Sequence, residues 1–184
     1  MSYTFHIILS IKEIDHFFPQ FKEVYQEAFG GAPYFESFTE EEVYKIFQEL
    51  VLSKDSACML LLEEGGLIGF AGGFNVSLDE QISSLVDQSL NPLNAFYLAE
   101  LAVSADKRNK GYGAMLTKKL IDYVKETTKL RKILVRTQKR NSNAKNIFLK
   151  IGFQELSVIQ KVKTFERKNG NRVPVFQERV FLLL

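Results

Sequence analysis

The chain has 184 residues, of which 46% are hydrophobic and 25% charged, values that are ordinary for a globular protein and exclude a disordered one. This length favours a single domain over residues 1–184 that needs no metal or disulfide to complete its core. The formal net charge is only +2, and the basic residues are dispersed among acidic ones, which argues against a nucleic-acid partner.

The cysteine and histidine content points to a reducing compartment and to chemistry without a metal. Cys58 is the single cysteine and lies in an apolar run, so we predict a buried, unreactive thiol and no disulfide within the chain. His6 and His16 lack metal-ligand spacing, and we predict no metal site. Because no basic leader and no apolar run of about 18 residues is present, we predict a cytoplasmic protein without a membrane partner.

The first half of the chain contains the apolar patterns of two helices followed by a strand hairpin. Thr39 and Glu42 form a capping box that predicts where the second helix begins. We predict, in chain order, a strand over 4–10, a helix over 14–29, a helix from residue 39, strands over 57–62 and 67–74, and a short helix over 79–90.

The second half alternates strands and helices and ends in a second hairpin. We predict a strand over 95–103, a long amphipathic helix from residue 112, a strand over 132–137, a helix over 143–151, and two strands that flank the turn at 168–171. The C-terminal strand is very apolar over 180–184. It either pairs across a homodimer or is buried within one chain, and the sequence leaves both readings open.

The stretch between the strand at 95–103 and the long helix has the composition of an anion site. Gly111 and Gly113 let the backbone approach a ligand closely at the N-terminus of a helix, where N–H groups are unpaired. Arg108 and Lys110 add cationic donors beside the same place. Two glycines before a helix are equally typical of a turn that packs the helix on its strand. The glycines alone therefore leave the role of this loop open.

Two sequence blocks make a family resemblance specific. Residues 101–116, LAVSADKRNKGYGAML, resemble the acetyl-CoA-binding motif of the GNAT superfamily of N-acetyltransferases, including its Arg-x-x-Gly-x-Gly core. Residues 141–153, NSNAKNIFLKIGF, resemble the next helix of that family. The likeness covers roughly residues 57–156 well. It implies an α/β (α+β) fold with a mixed, mostly antiparallel sheet of six to seven strands flanked by about four helices.

The resemblance also implies an acetyl-CoA site. In the family, the strand before the glycine loop splays from its neighbour and pairs with the pantetheine arm, the loop amides hold the pyrophosphate, and an asparagine of the second block contacts the pantetheine. The cofactor-binding residues implied here are Leu101, Ala102, Val103, Arg108, Asn109, Lys110, Gly111, Tyr112, Gly113, Ala114, Asn141 and Phe148.

Transfer from a thioester to an amine needs a base, a polarised carbonyl and a proton for the departing thiolate. We predict Glu100 as the base, since strand alternation places it opposite to Ala99 and Leu101, although a bulge would change that geometry. Tyr97 is the alternative and would lie on the opposite face. Many relatives carry a proton-donating tyrosine where this chain has Phe148.

Two functions from different classes remain. The first is an acetyl-CoA-dependent N-acetyltransferase acting on a primary amine of a small molecule or a protein, by direct attack in a ternary complex. The second is a catalytically silent module that binds acyl-CoA as a regulatory ligand, which Phe148 keeps open. We predict that the amine enters near residues 29–36, where aromatic residues and Glu36 could attract a cationic acceptor.

Overall fold

The computed structural model describes residues 2–32, 34–86 and 94–184. Within these ranges the chain forms seven strands and five α-helices. In chain order they are β1 (Tyr3–Ile8), α1 (Ile11–Gly30), α2 (Glu40–Leu52), β2 (Ala57–Glu63), β3 (Gly66–Asn75), α3 (Glu80–Val86), β4 (Ala95–Val103), α4 (Tyr112–Thr127), β5 (Lys132–Gln138), α5 (Ser142–Ile151), β6 (Gln154–Lys168) and β7 (Asn171–Leu183). The short helix predicted over 79–90 is present as α3, and residues 87–90 lie outside the described ranges.

The strands form one mixed sheet in the order β1-β2-β3-β4-β5-β7-β6. Neighbours are antiparallel except β4 and β5, which are parallel and connected through α4. This arrangement confirms the expected α/β (α+β) class with a mostly antiparallel sheet. It also places the carboxyl end of β4, and the loop that follows it, beside the carboxyl end of β5.

Helices cover both faces of the sheet, and the alternation of β2 shows how the sequence divides between them. Met59 and Leu61 pack with α4 and α5 in one apolar cluster, while Cys58 and Leu60 pack with α1 and α2 in another. Cys58 is fully buried, as predicted, and burial raises the pKa of its thiol. Because β2 is buried on both faces, it reads in the sequence as a continuous apolar run.

Local signals account for most helix boundaries. The predicted capping box at Thr39 and Glu42 is formed at the start of α2, with both reciprocal hydrogen bonds. Phe21 of α1 stacks on Phe47 of α2 with ring centroids 3.9 Å apart, which joins the two helices on one face of the sheet. Across residues 2–32, 34–86 and 94–184, no helix has the length and apolar character needed to cross a membrane.

The C-terminal strand is buried within the chain. β7 lies between β5 and β6, and Val180, Phe181 and Leu182 are each at most 2% exposed. Burial within one chain therefore accounts for the apolar residues over 180–184 without pairing across a homodimer. β6, rather than β7, forms that edge of the sheet.

Candidate active site

A cleft opens where β4 and β5 separate. The two strands pair from Ala95 opposite Lys132 to Leu98 opposite Val135, and the ladder then ends although both strands continue. On its other side β4 pairs with β3, where Leu98 opposes Gly73 and Glu100 opposes Gly72. Ala99 is thus an extra residue, and this bulge bends β4 away from β5.

Gly73 makes the bulge possible. A Cβ atom at this position would overlap the carbonyl oxygen of Tyr97, so the two backbones approach more closely than any other residue allows. The glycine pair in β3 therefore shapes the opposite strand. The splay expected from the family resemblance is present, with a cause in the neighbouring strand.

The first of two depressions at the cleft is a groove of about 420 Å³, called here the loop groove. It runs along the end of β4, over the loop before α4, and along one side of α5. Gly111 caps α4 in the left-handed conformation with φ 84°, and a Cβ there would meet no atom within 4 Å, so the backbone is open to the groove. The first N–H groups of α4 have no acceptor within the helix.

Most residues expected to bind acetyl-CoA line the loop groove. They are Leu101, Ala102, Val103, Arg108, Asn109, Gly111, Tyr112, Gly113, Ala114 and Asn141. Lys110 is exposed and lines neither depression, and Phe148 lies in the second depression. The Nε of Arg108 donates to the carbonyl oxygen of Val103 at 3.1 Å, so this side chain also fastens the loop to β4.

Sequence reasoning missed four polar residues of the groove. Lys107 belongs to the same loop and pairs with Glu63 of β2. Asn143, Asn146 and Lys150 lie on α5 at helical spacing, on the side that faces the groove. The period of polar residues along α5 was the signal that could have found Asn143, Asn146 and Lys150.

The second depression, called here the inner cavity, measures about 240 Å³ and lies deeper in the cleft. β4 contributes residues 97–101, and β5 contributes Arg136 and Thr137. The segment between α1 and α2 contributes Tyr34 and Glu36. The two depressions meet, because both are lined by Phe29, Tyr34, Leu101 and Ala144.

Glu100 lies in the wall of the inner cavity. Its Oε1 accepts a hydrogen bond from Tyr25 Oη at 3.3 Å. Burial raises the pKa of Glu100 to about 8, with a smaller contribution from the negative charge of Glu36, while Arg136 acts in the opposite direction. A carboxyl with this pKa is mostly protonated at pH 7 and is half ionised at about pH 8.

Tyr97 lines the same cavity as Glu100, which corrects the expectation that the two residues lie on opposite faces. Regular alternation would separate positions three apart, but the extra residue Ala99 brings both side chains into one cavity. Burial raises the pKa of the Tyr97 phenol. This phenol therefore keeps its proton near neutral pH, which disfavours it as a base.

Tyr34 occupies the junction of the two depressions and was not predicted as a catalytic residue. Asn141 Nδ2 donates to Tyr34 Oη at 2.7 Å, and Asn141 Oδ1 caps α5 by accepting from the N–H of Ala144. Burial raises the pKa of the Tyr34 phenol, so its hydroxyl stays protonated. No sequence motif pointed to this tyrosine, because it comes from the segment between α1 and α2.

Glu36 is engaged within the protein. Its Oε1 accepts from Arg179 Nη2 at 2.5 Å and from Gln138 Nε2 at 3.4 Å. The negative charge of Glu36, which we expected to attract a cationic acceptor, is therefore already balanced by Arg179 of β7. The aromatic wall expected over 29–36 is present, since Phe29 and Tyr34 both line the cavity.

Comparison with protein families places the chain in a family. The family model of the acetyltransferase (GNAT) family matches residues 18–153. This match spans well over half of the sequence. The chain belongs to the GNAT acetyltransferase family, and the resemblance read from residues 101–116 and 141–153 is confirmed. A search of curated protein sequences gave no match.

Solved structures with the same fold cover nearly the whole chain. The ribosomal-protein-S18-alanine N-acetyltransferase from Escherichia coli matches with a TM-score of 0.67 and 17% identity, over 100% of this chain and 93% of that one. Arabidopsis thaliana NAA60 in complex with acetyl-CoA matches with a TM-score of 0.64 and 15% identity, over 100% and 98%. The ribosomal-protein-alanine N-acetyltransferase from Brucella melitensis matches with a TM-score of 0.66 and 15% identity, over 97% and 98%. At these identities the likeness establishes the fold.

Proposed function

We propose that this protein is an acetyl-CoA-dependent N-acetyltransferase that acetylates a primary amine of a small molecule or a protein, by direct attack in a ternary complex. The observation that carries the proposal is the junction of the loop groove with the inner cavity beside Glu100. One depression suits a long cosubstrate and the other an acceptor, and they meet where β4 leaves β5. Membership of the family supports the same reaction class.

The loop groove fits acetyl-CoA in its donors and its shape. Beyond Leu98 the β4 backbone has no partner in β5, so its polar groups on that side can pair with an extended amide-bearing chain. At the other end, the N-terminus of α4 and the open backbone at Gly111 suit a pyrophosphate. When bound there, acetyl-CoA supplies an activated acyl group.

Glu100 is suited to accept the proton of the attacking amine. An amine with a pKa near 10 is almost wholly protonated at pH 7, so a base in the cavity accelerates its attack. The Glu100 carboxyl lines the cavity, and its pKa of about 8 makes it a stronger base than an ordinary glutamate. Tyr25 holds the carboxyl in place from α1.

Tyr34 is suited to donate the proton that the departing thiolate needs. Its hydroxyl lies at the junction of the depressions and is oriented by Asn141. Phe148 cannot serve, since it has no hydroxyl, and it is buried against Phe153 with ring centroids 5.4 Å apart. We therefore assign to Tyr34 the role that a tyrosine at position 148 has in many relatives.

The alternative is a module that binds acyl-CoA without transferring the acyl group. Phe148 is the observation that favours it, because a proton donor is missing from that position. The two functions differ in turnover and not in acetyl-CoA binding. A test must therefore measure both.

The decisive experiment is thermal unfolding with and without acetyl-CoA, followed by CoA release with a panel of primary amines. Saturation at a hundred times Kd adds about 2.7 kcal/mol and raises the unfolding midpoint by roughly 5 to 10 °C, whereas ATP and NAD should leave it unchanged. Amine-dependent CoA release is the expected second result. Binding without release for any amine would support the regulatory module, and no selective shift would overturn both functions.

A further inference from the structure

An arginine without a carboxylate partner lines the inner cavity. Arg136 directly follows Val135, the last β5 residue that pairs with β4, so it lies where the cleft opens. Among the described residues, its guanidinium donates one hydrogen bond, to Gln160 Oε1 at 2.8 Å, and forms no ion pair within 4.0 Å. The guanidinium also lies over the Tyr97 ring, 5.8 Å from its centroid. Most of its donors are available to a ligand.

A second arginine of the same cavity is already engaged by the protein. Arg179 is 9% exposed, and its Nη2 is paired with Glu36. Its Nε is buried without a hydrogen-bond partner in the described part of the chain, and so is the hydroxyl of Thr164, which also lines the cavity. Both atoms are closed off from the cavity, so the donors that a ligand can reach directly are those of Arg136.

The charges that face the cavity favour an anionic group on that ligand. Arg136 and Arg179 contribute two positive charges, and Glu36 and the ionised form of Glu100 contribute two negative ones, of which Glu36 is paired with Arg179. A ligand with one charge of each sign therefore matches Arg136 and Glu100. Glu100 lies across the opening from Arg136, two residues beyond the last paired position of β4. A purely cationic acceptor would meet the unpaired guanidinium, whereas a carboxylate matches the planar fork of its donors.

The surroundings of the cavity favour a small acceptor. The segment between α1 and α2 is joined to β6 by a backbone hydrogen bond from Ser37 to Phe165 of 2.7 Å and by the bridge between Glu36 and Glu166. These contacts cross the side of the cavity formed by Tyr34, Glu36 and Thr164. A volume of about 240 Å³ suits a compact molecule better than a protein segment.

We propose that the acceptor is a small primary amine that also carries a carboxylate, and that Arg136 binds the carboxylate while the amine faces Glu100. The inference rests on the proposed acetyl transfer and adds the class of acceptor. The ammonium group gives one proton to Glu100, the neutral nitrogen forms a bond to the acetyl carbon, and the carbon–sulfur bond of the thioester breaks. The departing thiolate takes a proton from Tyr34, and the second proton that the nitrogen loses replaces it. The products are an N-acetyl amino carboxylate and CoA, so atoms and charge balance.

The test compares amino carboxylates with their own amides. The twenty common amino acids, β-alanine and 4-aminobutanoate are each assayed beside the matching carboxamide, by CoA release with the full chain. An α-amino amide is less basic than its amino acid and has more neutral amine at pH 7, so without recognition of the carboxylate it would react faster. We expect instead that at least one carboxylate is preferred over its amide by about 10- to 100-fold in kcat/KM.

Arg136→Gln should remove this preference by raising KM about 10- to 100-fold for the carboxylate, with little change in acetyl-CoA affinity. Because Arg136 lowers the pKa of Glu100, kcat at neutral pH should fall for carboxylate and amide alike, so the measured quantity is the ratio of their kcat/KM values. Arg136→Lys should restore part of the preference, because it keeps the charge but loses the fork. Arg167→Gln is the matched control, since Arg167 is an exposed arginine of β6 that lines neither depression. It should behave as the wild type.

A binding experiment separates failure of this inference from failure of acetyl transfer. With CoA present, the best amino carboxylate should raise the unfolding midpoint of the wild type but not that of Arg136→Gln. If the amides or an unrelated peptide N-terminus react as well as the carboxylates, and Arg136→Gln changes nothing, the acceptor class is wrong and acetyl transfer stands. If no amine reacts, a carboxylate that raises the unfolding midpoint of the wild type would still support binding at Arg136. If no carboxylate raises the midpoint at millimolar concentration, the inference is overturned.

Discussion

Glu100 is a half-buried carboxyl that lines the inner cavity, where we propose that the amine loses its proton. Its pKa of about 8 arises mainly from burial and then from the negative charge of Glu36, and no charged partner on its own strand offsets these effects. The residue type and position were predicted from the sequence. The pKa follows from groups on α1, β5, β7 and the segment after α1, which only the folded chain brings together.

Replacing Glu100 by Gln should lower kcat about 10²- to 10⁴-fold, because the cavity loses its base while the side chain keeps its size. Since Glu100 is proposed to act in its ionised form, the ratio of wild-type to variant rate should rise with pH and level off above about pH 8. Steady-state CoA release from pH 6 to 9.5 measures this ratio. Glu126→Gln, an exposed change on α4, is the control. A full rate at every pH in Glu100→Gln would remove the base assignment.

Tyr34 and Tyr97 both line the inner cavity, so replacing each by Phe removes one hydroxyl and gives two variants that can be compared directly. Tyr34→Phe should lower kcat by about 10- to 100-fold with little change in acetyl-CoA affinity, because the hydroxyl is proposed to protonate the thiolate. Tyr97→Phe should keep its rate, since the Tyr97 phenol is not proposed to move a proton. Single-turnover CoA release separates chemistry from product release. The opposite ranking of the two variants would transfer the role to Tyr97.

At the scale of elements, the start of α4 and its preceding loop are the part of the candidate site for which the sequence carries the clearest local signal. The signal was contiguous, because the strand end, the loop and the first turn of the helix all lie within 101–116. Gly111 has a positive φ and an open position for a Cβ, as an anion-binding backbone requires. The unpaired N–H groups at the N-terminus of α4 follow from the helix itself and do not depend on distant parts of the chain.

Gly111→Asp should weaken acetyl-CoA binding by at least about 100-fold, because it places a carboxylate where the pyrophosphate is proposed to bind. Gly65→Asp is a close control: Gly65 has φ 83°, a Cβ at this position would meet no atom within 4 Å, and the residue lies in the β2–β3 turn. Both variants carry the same charge and similar backbone strain. Isothermal titration with acetyl-CoA compares them, and retained affinity in Gly111→Asp would show that the loop does not hold the pyrophosphate.

At the scale of the whole molecule, all seven strands lie in one sheet and the apolar clusters on its faces share strands. We therefore propose that residues 1–184 unfold as one cooperative unit. When the whole chain unfolds in one step, the protonation of a single carboxyl such as Glu100 changes the free energy of unfolding of the whole chain.

The free energy of unfolding should carry the signature of Glu100 between about pH 4.5 and pH 8. A raised pKa means that the folded chain holds this proton more tightly than the unfolded chain, so the contribution of Glu100 to stability falls as pH rises through this window. Glu100→Gln, which stays neutral, should match the wild type below pH 4.5 and exceed it at pH 9 by roughly 2 to 4 kcal/mol. Urea unfolding across this range measures the difference, and parallel curves would show that Glu100 titrates normally.

The sequence by itself determined the order of the elements, the family and the position of the loop proposed to bind the cofactor, because periodicity, capping and the glycine motif act between residues a few positions apart. The inner cavity was decided by the tertiary structure alone. The bulge at Ala99 depends on Gly73 of the neighbouring strand, and Tyr34, Arg136 and Arg179 come from three distant parts of the chain. No local sequence pattern predicts that these residues lie close together, since their side chains become neighbours only when β4 separates from β5 and β7 joins the sheet.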